Sequence, residues 1–273
     1  QMARGFIMGA TAGRTTLNGE GLQHEAGHSH VLFSVIPNCV CYDPTYGYEL
    51  AVIIQDGLRR MLAEQEDVYY YITVMNENYE HPALPEGAEQ GILKGMYLLR
   101  ESKSKAKARV QLMGSGTILR EVLAAAELLE QDWGVAADVW SATSFTELRR
   151  DGLAAERWNL LHPEDKPRVP YVTQCLDQRV GPVVAASDYI KTFADQIRPF
   201  VPVGRPYRVL GTDGFGRSDS RAKLRYFFEV NRHFVAVAAL KALADKGDGK
   251  AKTVSEAIKK YKLDPAKPDP TTV

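Results

Sequence analysis

Apolar residues in this chain form two kinds of pattern, short continuous runs and longer stretches in which they recur at helical spacing. The short runs predict buried strands, because a strand covered on both faces needs no alternation with polar residues. The longer stretches predict amphipathic helices. The short runs lie at residues 31–37, with an irregular continuation to 42, and at 67–75, 110–113, 137–142, 183–186 and 208–211; the clearest helical stretches are 44–62 and 117–131. Their alternation predicts an α/β fold with a mainly parallel sheet.

The first thirty residues depart from this alternation. Residues 1–8 have the spacing of an amphipathic helix but no capping residue before them, so we expect a fragment whose upstream part is missing. Residues 9–31 are rich in Gly, Thr, Asn, Glu and His and predict a long polar loop. Long loops in compact domains often carry function, so this loop is the first place to search for chemistry.

A break in the middle of the chain predicts two domains. Residues 76–91 contain Asn, Pro and Gly, and residues 100–109 are basic and poor in apolar side chains. We therefore expect a first unit at 1–90, a linker at 91–109 and a second α/β unit at 110–273. A length of 273 residues suits two domains of ordinary size.

The composition is that of an ordinary globular protein. Hydrophobic residues make up 45% and charged residues 25% of the chain, which excludes a disordered, collagen-like or coiled-coil protein. The 34 basic and 34 acidic residues cancel, so we expect no nucleic-acid binding and no membrane binding. No apolar run reaches the ~20 residues of a membrane-spanning helix. Three cysteines are too few for a disulfide scaffold, and without a signal-peptide pattern we expect a cytoplasmic protein.

Half of the six histidines, His24, His28 and His30, lie in the polar loop among glycines. An unperturbed histidine titrates near neutral pH, so a catalytic proton shuttle is the first hypothesis for this loop. A metal site that includes Glu20 and Glu25 is the second, although the spacing matches no zinc signature. A solvent-exposed polar loop without chemistry is the third.

Two glycine-rich turns and a cysteine pair have ordinary structural explanations. Residues 114–117 and 211–216 each follow a strand and precede a helix, where an anion can bind, but neither has the spacing of a dinucleotide fingerprint. We expect tight turns at both places. Cys39 and Cys41 are expected to alternate across a strand as buried structural thiols, poorly placed to share a metal.

Longer motifs carry a specific resemblance. The polar loop and several downstream segments closely resemble the thiamin-dependent first component of the bacterial, homodimeric pyruvate dehydrogenase complex. The resemblance covers nearly the whole chain and rests on residues 14–25, 27–30, 69–73, 76–79, 85–88, 143–148, 156–159, 161–163 and 210–219.

The resemblance implies a transketolase-like fold of α/β domains. Residues 1–90 would form the second half of the middle, pyrimidine-binding domain, truncated at its N-terminus, and residues 110–273 the C-terminal domain. The resemblance also implies a homodimer that uses thiamin diphosphate and Mg²⁺ to decarboxylate pyruvate oxidatively and to acetylate the lipoyl group of a dihydrolipoyl acetyltransferase. The diphosphate site, the magnesium ligands and the activating glutamate would lie upstream, so we expect this chain alone to be inactive and unable to bind the cofactor tightly.

The same resemblance implies the roles of individual residues. His30 matches the family's histidine that faces the substrate, and Glu20, His24 and His28 match supporting positions in the loop. The sequence departs from the family at Ala26, where an aspartate is usual, and loss of a carboxylate lowers the basicity of nearby histidines. The alternatives are a non-catalytic assembly module and, with less support, a histidine-ligated metal hydrolase.

Overall fold

The computed structural model describes residues 3–9 and 13–273. Within them the strands are β1 Gly5–Gly9, β2 Cys39–Tyr42, β3 Tyr69–Thr73, β4 Tyr97–Arg100, β5 Arg109–Gly114, β6 Ala136–Ser141, β7 Val183–Ala186 and β8 Tyr207–Leu210. The helices are α1 Ser29–Ser34, α2 Gly47–Leu58, α3 Glu89–Lys94, α4 Ile118–Trp133, α5 Phe145–Leu161, α6 Tyr171–Asp177, α7 Lys191–Asp195, α8 Arg221–Phe227, α9 Arg232–Lys246 and α10 Ala251–Lys260. Single turns of 3₁₀-helix lie at Leu22–His24 and Arg198–Phe200, and α2 continues into a π-helical turn at Arg59–Ala63.

The described strands form two sheets. The first sheet has the order β1-β3-β2 and is parallel throughout. The second has the order β4-β6-β5-β7-β8 and is parallel except for β4, which runs antiparallel to β6. The predicted α/β fold with a mainly parallel sheet is therefore confirmed, and every strand predicted from residue 67 onward forms with small shifts at its ends.

Helices cover both faces of the second sheet. Along β7, Val184 and Ala186 face the core formed with α4 and α9, while Val183 and Ala185 face the core formed with α5, α6 and α7. This double coverage explains why the strands read as continuous apolar runs rather than as alternating ones. In the part of the chain that the structure describes, no helix has both the length and the apolar character needed to cross a membrane.

Residues 5–9 form a strand, so the helix predicted at 1–8 is wrong for the residues described; residues 1 and 2 lie outside them. Strand β1 pairs in parallel with β3, from Gly5 beside Tyr69 to Gly9 beside Thr73. The ring of Phe6 lies 5.4 Å from that of Tyr70. Pairing with a distant strand overrides the helical spacing, which is a weak signal over eight residues.

The strand predicted at 31–37 is also wrong, because residues 29–34 form helix α1. The ring of Phe33 in this helix stacks on that of Tyr71 in β3 with centroids 4.0 Å apart, while Leu32 is 67% exposed. Val35, just beyond the helix, is 76% exposed. An apolar run that leaves such residues in solvent is not a buried strand. For a run this short, periodicity alone does not distinguish a strand from a helix.

Cys39 and Cys41 lie on the same face of β2, with their sulfur atoms 3.8 Å apart. The expectation that they alternate across the strand is therefore wrong, because the period of a strand is two residues and positions i and i+2 share a face. Both thiols are free and fully buried, as expected for structural cysteines.

Strand β4 lies inside the stretch 91–109 for which the sequence predicts a linker. Its pairs with β6 include Tyr97 beside Ser141 and Leu98 beside Trp140. The hydroxyls of Tyr97 and Ser141 both donate to the buried carboxylate of Glu49, which lies in α2. Part of the predicted linker thus extends the second sheet and carries a contact back to α2.

Candidate active site

The carboxyl ends of strands from both sheets carry buried polar residues. Thr73 ends β3, Asp43 directly follows β2, Ser115 directly follows β5, and Asp188 lies two residues beyond β7. All four side chains are buried. Ligands of α/β proteins bind outside the carboxyl ends of the strands, so a site is expected here.

Asp43 connects the two sheets. One carboxylate oxygen accepts the Thr73 hydroxyl at 2.6 Å, and the other accepts the Ser115 hydroxyl at 2.7 Å. Burial raises the pKa of Asp43 to about 7, against these two donors, and the neighbouring carboxylates Asp188 and Glu49 raise it further. The contact between the sheets therefore contains a carboxyl group that titrates near neutral pH.

Asp188 binds two threonines of the polar loop. Its Oδ1 accepts the N–H of Thr15 at 2.9 Å and the Thr15 hydroxyl at 2.6 Å, and its Oδ2 accepts the Thr16 hydroxyl at 2.6 Å. The Thr16 hydroxyl also lies 2.8 Å from that of Thr117. Burial raises the pKa of Asp188, and the hydrogen bonds from the loop oppose this shift. Thr15 and Thr16 of the loop are therefore held by a residue that follows β7 of the second sheet.

His30 is completely buried in an aromatic cage. Its ring stacks on Phe193 with centroids 4.5 Å apart and meets Tyr189 and Tyr71 edge to face at 4.6 and 5.3 Å. Its Nε2 lies 2.9 Å from the Thr73 hydroxyl oxygen, whereas its Nδ1 has no partner among the described residues. Desolvation lowers the pKa of His30 to about 3, so the ring is neutral at pH 7. Its catalytic role stays a prediction.

The three residues predicted to support His30 lie in a different environment. Glu20, His24 and His28 are exposed, and His24 ends the 3₁₀ turn of the loop. The Nδ1 of His28 lies 3.1 Å from Nη2 of Arg14. Because a guanidinium can only donate, Nδ1 accepts this hydrogen bond. Burial and the positive charge of Arg14 lower the pKa of His28. The structure thus places these three side chains where an incoming molecule can reach them.

Glu25 lies between the exposed loop and the second sheet. Its Oε2 accepts the N–H of Arg217 at 2.6 Å, while its buried Oε1 has no hydrogen-bond partner in the part of the chain described. Burial raises the pKa of Glu25 to about 7, against that hydrogen bond and the positive charge of Arg14. A carboxyl group poised near neutral pH with one free oxygen can hold or release a proton.

The two glycine-rich turns are filled by protein groups, in agreement with the expected tight turns. A Cβ at Gly116 would lie 2.7 Å from the Asp43 carboxylate, and Asp213 accepts the N–H of Lys191 at 3.1 Å. Across residues 3–9 and 13–273, no three or more His, Cys, Asp or Glu side chains are grouped to hold a metal ion. The described residues therefore do not fit the charged end of thiamin diphosphate with its metal, and the metal-hydrolase alternative gains no support from them.

Sequence reasoning did not single out Asp43, Thr73 or Asp188. A signal existed, because each stands at or just beyond the end of an apolar run, the edge at which α/β proteins place their sites. Which of these ends meet depends on how the two sheets pack, and a local pattern does not contain that information. The structure brings them together and adds His30 to the group, but leaves Glu20 and His24 outside.

Two protein-family models match this chain. Residues 1–82 match the pyruvate dehydrogenase E1 component middle domain, and residues 95–231 match the transketolase-like C-terminal domain. Among solved structures, the fold is similar to a transketolase from Pichia stipitis, with a TM-score of 0.62 and 19% identity over 89% of this chain and 30% of that one. A transketolase from Leishmania mexicana has a TM-score of 0.62 and 16% identity over the same shares. These structures show the fold.

Curated relatives are much closer in sequence. The pyruvate dehydrogenase E1 component of Pseudomonas aeruginosa is 66% identical over 268 residues, which cover 98% of this chain and 30% of the relative. That of Escherichia coli (strain K12) is 59% identical over 271 residues, which cover 99% of this chain and 30% of the relative. The chain thus spans 30% of the length of these relatives. It belongs to the transketolase-like family, and along nearly its whole length its sequence is similar to these pyruvate dehydrogenase E1 components.

Proposed function

We propose that this chain is part of a thiamin-diphosphate-dependent E1 component that decarboxylates pyruvate oxidatively and transfers the acetyl unit to a lipoyl group. The observation that carries the proposal is the 66% identity over 98% of the chain to a pyruvate dehydrogenase E1 component. Its partners would be a second copy of the chain and the lipoyl domain and core of a dihydrolipoyl acetyltransferase. The reaction would take place in the cytoplasm and would consume pyruvate produced by glycolysis.

The described residues would supply one wall of the active site. Thiamin diphosphate provides the electron sink for such a decarboxylation, and its diphosphate and Mg²⁺ would be held by residues other than those described here. The exposed side chains of Glu20, His24 and His28 would line the wall that meets the substrate. His30, behind them, is the residue we propose to move a proton.

The charges around the loop suit proton transfer at neutral pH. Glu25 has a pKa of about 7, and the pKa of His28 lies below its usual value because of burial and Arg14. At pH 7 both neutral and ionised forms of Glu25 are present, and His28 is mostly neutral. The loop therefore offers a buried carboxyl group that can donate a proton and an exposed imidazole that can accept one. Either can complement the neutral, buried ring of His30.

An assay of the full-length protein that contains these residues tests the proposal. We expect release of CO₂ from pyruvate and acetylation of a purified lipoyl domain, both dependent on added thiamin diphosphate and Mg²⁺. 2-Oxobutyrate serves as the matched substrate with one more methylene, and we expect it to react more slowly. Full activity without the cofactor, or turnover of 2-oxobutyrate alone, would contradict the proposal. The 273-residue chain by itself should show neither reaction.

A further inference from the structure

The hydrogen bonds at Thr73 determine which nitrogen of His30 carries its proton. The Thr73 hydroxyl has one proton, and when Asp43 is ionised, above its pKa of about 7, the 2.6 Å contact uses that proton because an ionised carboxylate can only accept. The main-chain oxygen of Tyr42, at 3.3 Å, is likewise an acceptor. The Thr73 oxygen lies 2.9 Å from His30 Nε2 and has no second proton to donate to it. It therefore accepts a hydrogen bond, and Nε2 is the donor.

It follows that, while Asp43 is ionised, the neutral ring of His30 has its proton on Nε2 and a lone pair on Nδ1. This Nδ1 is buried and has no hydrogen-bond partner among the residues that the structure describes. A buried nitrogen with a lone pair and no donor carries a free-energy cost, because water has been removed without replacement. The fold thus presents an unused proton acceptor inside the aromatic cage.

Asp43 itself is held so that it keeps facing Thr73. Its second carboxylate oxygen is occupied by the Ser115 hydroxyl at 2.7 Å, and its carbonyl accepts the N–H of Gly116 at 3.1 Å. Its own N–H donates to the carbonyl of Thr143 at 2.8 Å. The carboxyl groups that act on Asp43 electrostatically, Asp188 and Glu49, belong to different elements and both favour its neutral form. Because contacts from several segments hold Asp43 in place, its carboxylate is suited to orient the Thr73 hydroxyl.

We propose that Asp43 is a positioning residue which, through the Thr73 hydroxyl, fixes His30 as the Nε2–H tautomer and so makes Nδ1 the proton-accepting atom. This rests on the proposed function, in which His30 moves a proton, and it names the atom that does so. Only a proton moves in the step, from a donor group to Nδ1; the imidazolium that forms is stabilised by its hydrogen bond from Nε2–H to Thr73 and, through Thr73, by the negative charge of Asp43. A buried carboxylate stabilises an imidazolium in this way without itself becoming protonated.

The tautomer can be read directly by ¹⁵N NMR of the 273-residue chain labelled at its six histidines. The spectra are recorded at about pH 8.5, where Asp43 is ionised. We expect one ring with a directly bonded proton on Nε2, shifted by its hydrogen bond and slow to exchange, and with a bare Nδ1. That signal should be absent in His30→Ala, which assigns it. A proton on Nδ1 of His30 would overturn the proposal.

Variants of the relay show whether Asp43 acts through Thr73. Thr73→Val and Asp43→Asn should each remove the shifted, slowly exchanging Nε2 proton, and Thr73→Ser should retain it. The matched control is Thr146→Val, because Thr146 is buried and its hydroxyl has no hydrogen-bond partner among the described residues. This control should keep the spectrum of the parent. A Thr73→Val spectrum identical to that of the parent would overturn the relay.

Turnover of the full-length enzyme separates this inference from the proposed function. Thr73→Val should lower kcat by roughly 10–100-fold with little change in KM, the usual effect of removing a group that orients a functional histidine, and Thr73→Ser should restore it. A lost Nε2 signal with unchanged kcat in both Thr73→Val and His30→Ala would overturn the catalytic role of His30. Unchanged kcat in Thr73→Val with a strong loss in His30→Ala would instead overturn the positioning role of Asp43.

Discussion

Glu25 accepts the main-chain N–H of Arg217 at 2.6 Å, although the two residues lie 192 positions apart in the chain. This hydrogen bond ties the polar loop to the turn that follows β8. The other carboxylate oxygen of Glu25 is buried and has no partner in residues 3–9 and 13–273. Because burial raises the pKa of Glu25 to about 7, the loop carries a group whose charge changes across the physiological range.

Replacing Glu25 by Gln should change how stability depends on pH. A carboxyl group with a folded-state pKa above its unfolded value stabilises the fold below the unfolded value of 4.5, and this contribution is lost as the pH rises to about 7. Glu25→Gln keeps an oxygen for the N–H of Arg217 but cannot ionise. We expect the variant to have a higher Tm than the parent at pH 8 and a similar Tm near pH 4.

Thermal unfolding measured from pH 4 to 8 gives the difference in Tm between Glu25→Gln and the parent at each pH. The control is Glu256→Gln, which removes an exposed carboxylate 3.9 Å from Lys252 on α10 and should leave the pH profile unchanged. Parallel Tm curves for Glu25→Gln and the parent would show that Glu25 has an ordinary pKa.

Gly116→Ala should destabilise the protein more than Gly134→Ala does. Both glycines have positive φ angles, 51° and 60°, so both changes pay the cost of a left-handed backbone, about 1 kcal/mol. A Cβ at Gly116 would also lie 2.7 Å from the Asp43 carboxylate, whereas one at Gly134 would meet nothing within 4 Å. We expect an additional loss of about 1–3 kcal/mol for Gly116→Ala, measured by urea unfolding. Equal losses would mean that Asp43 moves aside freely.

The strands of the second sheet could be predicted because their apolar runs are continuous and their helices cover both faces. The same reasoning failed where a short segment depends on a distant partner. Residues 5–9 form a strand by pairing with β3, and residues 29–34, which overlap an apolar run, form a helix that leaves Leu32 exposed. In both cases contacts far along the chain decide between two local conformations that the sequence permits.

The candidate site was only partly predictable for the same reason. The composition of the loop pointed to His24, His28 and His30, but all three look alike in sequence. Their environments differ because Thr73 and Phe193, far along the chain, enclose His30 and leave the other two in solvent. Burial then makes the acid–base behaviour of His30 different from that of the exposed histidines, since it lowers the pKa of His30 to about 3.

Restoring a carboxylate at position 26 should act on His28 rather than on His30. Ala26 is partly exposed and lies two residues from His28, whose pKa is lowered by burial and by Arg14. A negative charge favours the imidazolium and raises that pKa. We expect the acidic limb of the pH–rate profile of the full-length enzyme to move upward in Ala26→Asp. Ala26→Asn, of the same shape but neutral, is the control, and coincident limbs for both variants would exclude the coupling.

His30→Phe separates the packing of His30 from its chemistry. A phenyl ring can keep the stacking on Phe193, but it has no nitrogen for proton transfer. We expect turnover of the full-length enzyme to fall by roughly 10²–10⁴-fold, the usual contribution of a general acid or base, with a small change in Tm. His162→Phe is the control, because His162 stacks on Trp158 outside the site. Normal turnover in His30→Phe would reduce His30 to a packing residue.

The chain alone should fold in both of its sheets yet fail to bind thiamin diphosphate. From the sequence, slow hydrogen exchange is expected beyond residue 110 and fast exchange before residue 90. The structure changes the second expectation, because β2 and β3 are buried and Asp43 and Glu49 bind groups of the second sheet. We now expect slow exchange at Val40 and Ile72 as well, measured by mass spectrometry.

Calorimetric titration with thiamin diphosphate and Mg²⁺ measures binding by the same preparation. The described residues contain no group of three or more acidic, histidine or cysteine side chains placed to hold a metal, and in the 114–117 turn the N–H of Gly116 donates to the carbonyl of Asp43 and that of Ser115 to the carbonyl of Ala186. Residues 3–9 and 13–273 therefore offer the charged end of the cofactor no such group, and we expect no binding in the micromolar range, against tight binding by the full-length protein as the positive control. Micromolar binding by these 273 residues would contradict this expectation.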